Sequence, residues 1–135
     1  MRASRKRDLV RAAADARQRA VAPYSKFKVG AALLTHKGEI VTGANVESAS
    51  YGLTCCAERV VLFNALTAGK RGFAAIAVVA RAPGGPMPCG ACRQLLAEYA
   101  PEANVWVADS QSLRTIREFS VSELLPAAFI EVPPA

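Results

Sequence analysis

Three cysteines in two short motifs constrain the fold of this chain more than any other feature. The first motif is Cys56-Ala57-Glu58, and the second, further along the chain, is Pro88-Cys89-Gly90-Ala91-Cys92. Three thiolates that converge on one zinc ion leave its fourth position open, which is the pattern of a catalytic rather than a structural site. A nearby glutamate can then transfer protons between water and a substrate. The fold must therefore bring two distant segments of the chain together.

The residues around the cysteines admit an alternative, a purely structural zinc site. Structural zinc ribbons usually carry two Cys-x-x-Cys pairs, but the first motif here, Cys55-Cys56-Ala57-Glu58, lacks that spacing. Vicinal cysteines rarely bind the same tetrahedral ion, so we interpret Cys55 as a buried free thiol. We interpret Arg59 as a donor to a cysteine sulfur that offsets the charge of three thiolates. His36 is the one histidine, and it lies in a turn, so no Ser-His-Asp triad is available.

Hydrophobic periodicity and the Gly/Pro breaks predict the secondary structure. The resulting order of elements indicates an α/β fold, in which a mixed five-stranded sheet is covered by helices in a three-layer α-β-α sandwich. The predicted strands 73–80 and 105–108 are joined through a predicted helix, and such strand–helix–strand units should be parallel. Both cysteine motifs fall where a loop enters a helix. The predicted helices span 8–20, 58–68, 91–99 and 121–125, and the predicted strands span 27–34, 39–42, 73–80, 105–108 and, weakly, 115–119.

Composition and charge predict a single domain and argue against nucleic acid or a membrane as a partner. A chain of 135 residues, 52% hydrophobic and 21% charged, is predicted to form a single domain over residues 1–135. The net charge is +6, but residues 1–20 hold seven Lys/Arg and only two acids, which indicates a solvated helix face rather than a nucleic-acid groove. No signal peptide is apparent, and the longest apolar run, Phe73 to Ala80, is too short to span a bilayer. We therefore expect a cytoplasmic protein that binds neither nucleic acid nor membrane.

Three segments carry characteristic motifs: 45–51 (Asn-Val-Glu-Ser-Ala-Ser-Tyr), 56–59 (Cys-Ala-Glu-Arg) and 88–94 (Pro-Cys-Gly-Ala-Cys-Arg-Gln). Together with segments 23–32 and 123–129, they resemble cytidine deaminase of the short, homotetrameric, zinc-dependent type. Segments 23–32 and 123–129 match the ends of that family, so the resemblance covers nearly the whole chain. It implies a cytidine deaminase-like fold and one zinc ion per chain.

The resemblance also implies a role for each matching residue. Cys56, Cys89 and Cys92 would bind zinc, and Glu58 would carry protons from water to the ring N3 and to the leaving ammonia. The remaining residues would bind the nucleoside. Phe27 would stack on the base, the backbone at Ala57 and Cys89 would contact the pyrimidine edge, Asn45 and Glu47 would hold the ribose 3′-hydroxyl, and Tyr51 and Phe129 would reach active sites shared between subunits of a homotetramer.

The function that follows is hydrolytic deamination of cytidine and 2′-deoxycytidine in pyrimidine salvage. Within enzymes, the alternatives are a deaminase of a cytosine-nucleoside antibiotic such as blasticidin S and an RNA or DNA base editor. An alternative of a different class is a non-catalytic, zinc-stabilised RNA-binding module that uses the basic N-terminus. Phe27 and the pair Asn45 and Glu47 favour ordinary nucleosides.

Overall fold

The computed structural model describes residues 2–130, which form a five-stranded sheet with helices on both faces. The helices are α1 (Arg2–Ala16), α2 (Ala57–Thr67), α3 (Gly90–Tyr99) and the short α4 (Val121–Leu124), with single 3₁₀ turns at Arg17–Arg19 and Tyr51–Leu53. The strands are β1 (Val29–Thr35), β2 (Ile40–Ala44), β3 (Phe73–Ala80), β4 (Asn104–Asp109) and β5 (Ser112–Ser120).

The sheet has the strand order β2-β1-β3-β4-β5 and is mixed. β3 and β4, which flank α3, are parallel, as the sequence predicts, and all other neighbouring strands are antiparallel. The central β3 is a continuous apolar run and is almost completely buried, because helices cover both of its faces. The α/β class with a mixed five-stranded sheet is therefore confirmed.

Two hydrophobic clusters lie on opposite faces of the sheet. On one face, Leu9, Val10 and Ala13 of α1 pack against alternate residues of β1, β3 and β4. On the other face, α2, α3 and α4 pack against the intervening residues of the same strands. Gly30 allows the close approach of α1, since a Cβ at this position would overlap the carbonyl oxygen of Ala13 and lie 2.5 Å from the backbone nitrogen of Arg17.

Two predicted elements differ from the structure by three or more residues at one or both ends. The first helix begins at Arg2 rather than near residue 8, and it ends at Ala16. Its first turns carry Arg, Ala and Lys, which favour helix without contributing an apolar stripe that periodicity could detect. The last strand spans Ser112–Ser120, four residues more than the predicted 115–119, because an edge strand with exposed charged residues lacks the hydrophobic pattern of a buried strand.

At one end of the strands, the sheet brings together the start of β1 and the ends of β2 and β3. Val29 at the start of β1 pairs with Ala80 at the end of β3, and the adjacent Gly30 pairs with Ala44 at the end of β2. The loops that follow β2 and β3 lead to α2 and α3. In α/β sheets, such a junction of strand ends and helix starts is where ligands bind.

Within residues 2–130, none of the helices combines the length and apolar character needed to cross a membrane.

Candidate active site

The three cysteines of the two motifs meet between the starts of α2 and α3. Cys56 is the N-cap of α2 and Cys89 the N-cap of α3, both with extended backbone, and Cys92 lies in the first turn of α3. Their Sγ atoms all lie within 4.8 Å of one another. Cys89 Sγ is 4.0 Å from Cys56 Sγ and 3.5 Å from Cys92 Sγ. Ligand sulfurs ~2.3 Å from a tetrahedral zinc would be roughly 3.8 Å apart, so this cluster fits one zinc ion.

Charge within the cluster also favours a cation. Hydrogen bonds from Cys92 and Arg59 lower the pKa of Cys56 well below its usual range, which favours the thiolate form of this sulfur. The pKa of the Cys92 thiol is raised, chiefly because this thiol donates a hydrogen bond to the sulfur of Cys56. Three neighbouring thiolates repel one another, and a bound cation would allow all three to ionise.

Arg59 places a positive charge next to the sulfur of Cys56. It lies one helical turn after Cys56, and its Nη2 donates to Cys56 Sγ at 3.4 Å and to the carbonyl oxygen of Thr54 at 3.1 Å. The second contact anchors the guanidinium to the segment that enters α2. Arg59 therefore both offsets thiolate charge and orients a predicted zinc ligand.

Glu58 is the buried carboxyl group of the site. It lies in the first turn of α2 and is only 6% exposed. Burial, with a smaller contribution from the neighbouring Cys56 thiolate, raises the pKa of Glu58 to about 7. A carboxyl group with this pKa can both accept and donate a proton near neutral pH, as general acid–base catalysis requires.

A cleft of about 250 Å³ opens onto this carboxyl group. Predicted substrate-binding residues Phe27, Asn45, Glu47 and Ala57 line it, together with Cys56, Glu58 and Cys89. Sequence reasoning missed the lining residues Val29, Thr54, Pro86 and Met87. The sequence could have indicated Pro86 and Met87 as lining residues, because they lie in the loop that leads from the end of β3 to the predicted zinc ligand Cys89.

The side chain of Asn45 holds the backbone beside Phe27. Its Oδ1 accepts from Val29 N at 2.9 Å, and its Nδ2 donates to the carbonyl oxygen of Phe27 at 2.9 Å. Asn45 is buried, and these two bonds fix the entry into β1. Asn45 thus shapes the wall of the cleft that carries the Phe27 ring.

Glu47 is bound by the loop that precedes Phe27. Its Oε1 accepts from the backbone nitrogens of Tyr24 and Ser25, both at 3.1 Å, and its Oε2 accepts from the Ser25 hydroxyl. The bonds from Ser25 hold the pKa of Glu47 below its usual range. The cleft therefore presents a carboxylate, negatively charged at neutral pH, on the loop side of Phe27.

Tyr51 and Phe129 do not line this cleft. Tyr51 is 80% exposed and borders an adjacent hollow of about 330 Å³ that shares Glu47 and Thr54 with the cleft. Phe129 is 62% exposed, and its carbonyl oxygen accepts from Gln94 Nε2 at 2.6 Å. Both aromatic rings are thus presented at the surface of the described chain.

Comparison with known proteins identifies the family. Residues 3–108, which include all three site cysteines, match the model of the cytidine and deoxycytidylate deaminase zinc-binding region. A cytidine deaminase of Halalkalibacterium halodurans is 52% identical, covering 90% of this chain and 91% of that protein. One from Sporosarcina psychrophila is 47% identical, covering 84% and 83%. The crystal structure of cytidine deaminase from Burkholderia pseudomallei superposes with a TM-score of 0.87 at 52% identity, covering 90% of this chain and 97% of that one.

These matches and the cysteine cluster define a zinc-dependent hydrolase. The chain belongs to the cytidine and deoxycytidylate deaminase family.

Proposed function

We propose that this enzyme converts cytidine and 2′-deoxycytidine to uridine and 2′-deoxyuridine with release of ammonia, in pyrimidine salvage. The observation that carries the proposal is a buried carboxyl group, Glu58, beside a three-cysteine cluster that fits one zinc ion, at the end of an open cleft. Relatives named cytidine deaminase that are 52% and 47% identical support it. The proposed location is the cytoplasm, where thiols stay reduced.

Cys56, Cys89 and Cys92 would hold the zinc ion, which supplies a Lewis acid that activates water for attack on C4 of the base. The carboxylate of Glu58 accepts a proton from the attacking water and delivers it to ring N3. It then transfers the remaining proton of that water, now on the C4 oxygen, to the exocyclic nitrogen, so that the C4–N4 bond breaks, the C4 carbonyl forms and ammonia leaves. The pKa of Glu58, raised to about 7, suits both proton transfers.

The cleft suits a free nucleoside better than a polynucleotide. In the proposed arrangement, Phe27 stacks on the base, the backbone at Ala57 contacts the pyrimidine edge, and Glu47 binds the ribose 3′-hydroxyl. The ionised Glu47 would repel a phosphate attached to the 3′-oxygen, because two negative charges would then be close together. The same carboxylate accepts a hydrogen bond from a free 3′-hydroxyl.

An absorbance assay with ammonia detection tests this function on four substrates: cytidine, 2′-deoxycytidine, blasticidin S and a cytosine-containing oligonucleotide. We expect turnover of the two nucleosides and none of the oligonucleotide. Preferential turnover of blasticidin S would establish the antibiotic deaminase instead. Salt-dependent RNA binding without ammonia release would establish the RNA-binding module.

We also propose a homotetramer whose active sites are shared between subunits. Large apolar side chains exposed on the chain support this assembly, among them Tyr51, Leu53 at 75% and Phe129. Sedimentation should give the mass of four 14.3 kDa chains. Tyr51→Ala and Phe129→Ala should lower activity, because each ring would complete a neighbour's site. A fully active monomer would contradict the assembly.

A further inference from the structure

The loop before β1 contains a serine that contacts two of the proposed substrate-binding residues. The Ser25 hydroxyl donates to Glu47 Oε2 and accepts from Phe27 N at 2.9 Å. A single hydroxyl group therefore connects the carboxylate proposed for the ribose to the backbone of the residue proposed to stack on the base.

The hydrogen bonds of Glu47 leave one acceptor position favoured for a substrate. Each carboxylate oxygen has about two lone-pair sites. Oε1 already accepts from two backbone nitrogens, those of Tyr24 and Ser25, and is saturated. Among residues 2–130, Oε2 accepts from the Ser25 hydroxyl alone, so it retains one lone pair. Together with the two backbone donors on Oε1, the Ser25 hydroxyl on Oε2 fixes the plane of the carboxylate and so the direction that this lone pair faces.

We propose that Ser25 is a positioning residue for the sugar of the nucleoside: its hydroxyl holds Glu47 Oε2 so that the remaining lone pair accepts the 3′-hydroxyl. The inference rests on the proposed nucleoside deaminase function and assigns a determinant of its sugar specificity. Ser25 acts through Glu47 and need not touch the substrate.

The loop has other anchors that do not involve the Ser25 hydroxyl. Lys26 N donates to the carbonyl oxygen of Ala22 at 3.1 Å, and Lys26 Nζ donates to that of Pro23 at 2.8 Å. The Asn45 amide holds the chain on the other side of Phe27. Ser25 itself is exposed. Removal of its hydroxyl should therefore leave the fold intact and change mainly the orientation of Glu47.

The test compares cytidine with 3′-deoxycytidine, which lacks the proposed partner of Glu47, using the zinc-loaded full chain. For Ser25→Ala we expect kcat/KM on cytidine to fall about tenfold more than on 3′-deoxycytidine, the effect of one well-placed hydrogen bond, with most of the loss in KM. Ser25→Ala also removes the hydrogen bond from Phe27 N, and this loss should lower kcat/KM by the same factor for both substrates. The products, uridine and 3′-deoxyuridine, should show the same difference in equilibrium binding without turnover.

Two further variants complete the design. Ser25→Thr keeps a hydroxyl at an exposed position and should restore most of the discrimination between the two nucleosides. Ser48→Ala is the matched control, because Ser48 borders the hollow beside Glu47 but its hydroxyl accepts from Ser50 N and does not contact Glu47. It should change kcat/KM for both nucleosides by the same factor.

The outcomes separate this inference from the function on which it rests. A parent enzyme that does not deaminate cytidine refutes the proposed function. A parent that prefers cytidine to 3′-deoxycytidine, with the preference unchanged in Ser25→Ala, overturns only the role of Ser25. A parent that treats the two nucleosides alike also overturns it, since Glu47 would then make no use of the 3′-hydroxyl.

Discussion

Glu58→Gln is expected to lose nearly all deaminase activity while keeping its zinc and its fold. Glutamine has almost the same shape, but its amide cannot accept the proton of the attacking water or return it to the base. Loss of a general acid–base group typically costs about 10²- to 10⁴-fold in rate. No other carboxyl group in the cleft has the burial of Glu58, and Glu47 is occupied by three hydrogen bonds. The measurement is kcat on cytidine together with zinc content and thermal unfolding of the same preparation.

A suitable control is Glu98→Gln, which makes the same chemical change at an exposed position on α3. This control should retain the activity of the parent enzyme. If Glu58→Gln stayed within tenfold of the parent, another group would have to carry the protons, and the assignment of Glu58 would be wrong.

Removal of zinc should abolish activity and partly unfold the protein. The three cysteines join the starts of α2 and α3, so loss of the ion would leave thiolates that repel one another or take up protons. Because protons compete with the metal for thiolates, a chelator should extract zinc faster as the pH falls. We expect one zinc ion per chain by metal analysis and recovery of activity when one equivalent is returned.

The chain contains its own control for this experiment. Cys92→Ala removes a proposed ligand and should give protein without stoichiometric zinc. Cys55 is the half-buried neighbour of Cys56 in the sequence and lies outside the three-sulfur cluster. Cys55→Ser should therefore keep one zinc ion. Purified protein that is fully active without zinc would refute the metal site.

Local sequence patterns determined much of the fold. β3 has the predicted bounds, and α2 and α3 begin within one residue of their predicted starts. These elements are bounded by Gly and Pro and have regular apolar spacing, which are properties of neighbouring residues. The cysteine motifs were assigned to helix starts for the same reason, and the structure places Cys56 and Cys89 at N-caps. Where the apolar pattern is weak, the prediction was wrong: the first helix was predicted over 8–20 but spans Arg2–Ala16, and the last strand was predicted over 115–119 but spans Ser112–Ser120.

The details of the site depend on the tertiary structure. The motifs identified Glu58, but its pKa of about 7 follows from burial between packed elements that no single segment encodes. The resemblance assigned Asn45 and Glu47 to the ribose, whereas the folded chain shows that both also bind the loop carrying Phe27. Ser25 lies in the matching segment 23–32, but the resemblance gave it no role, since a serine hydroxyl acquires one only when folding brings a partner within reach. The sequence alone thus determined which groups supply the chemistry, and folding decided their burial and orientation, because these depend on contacts between residues far apart in the chain.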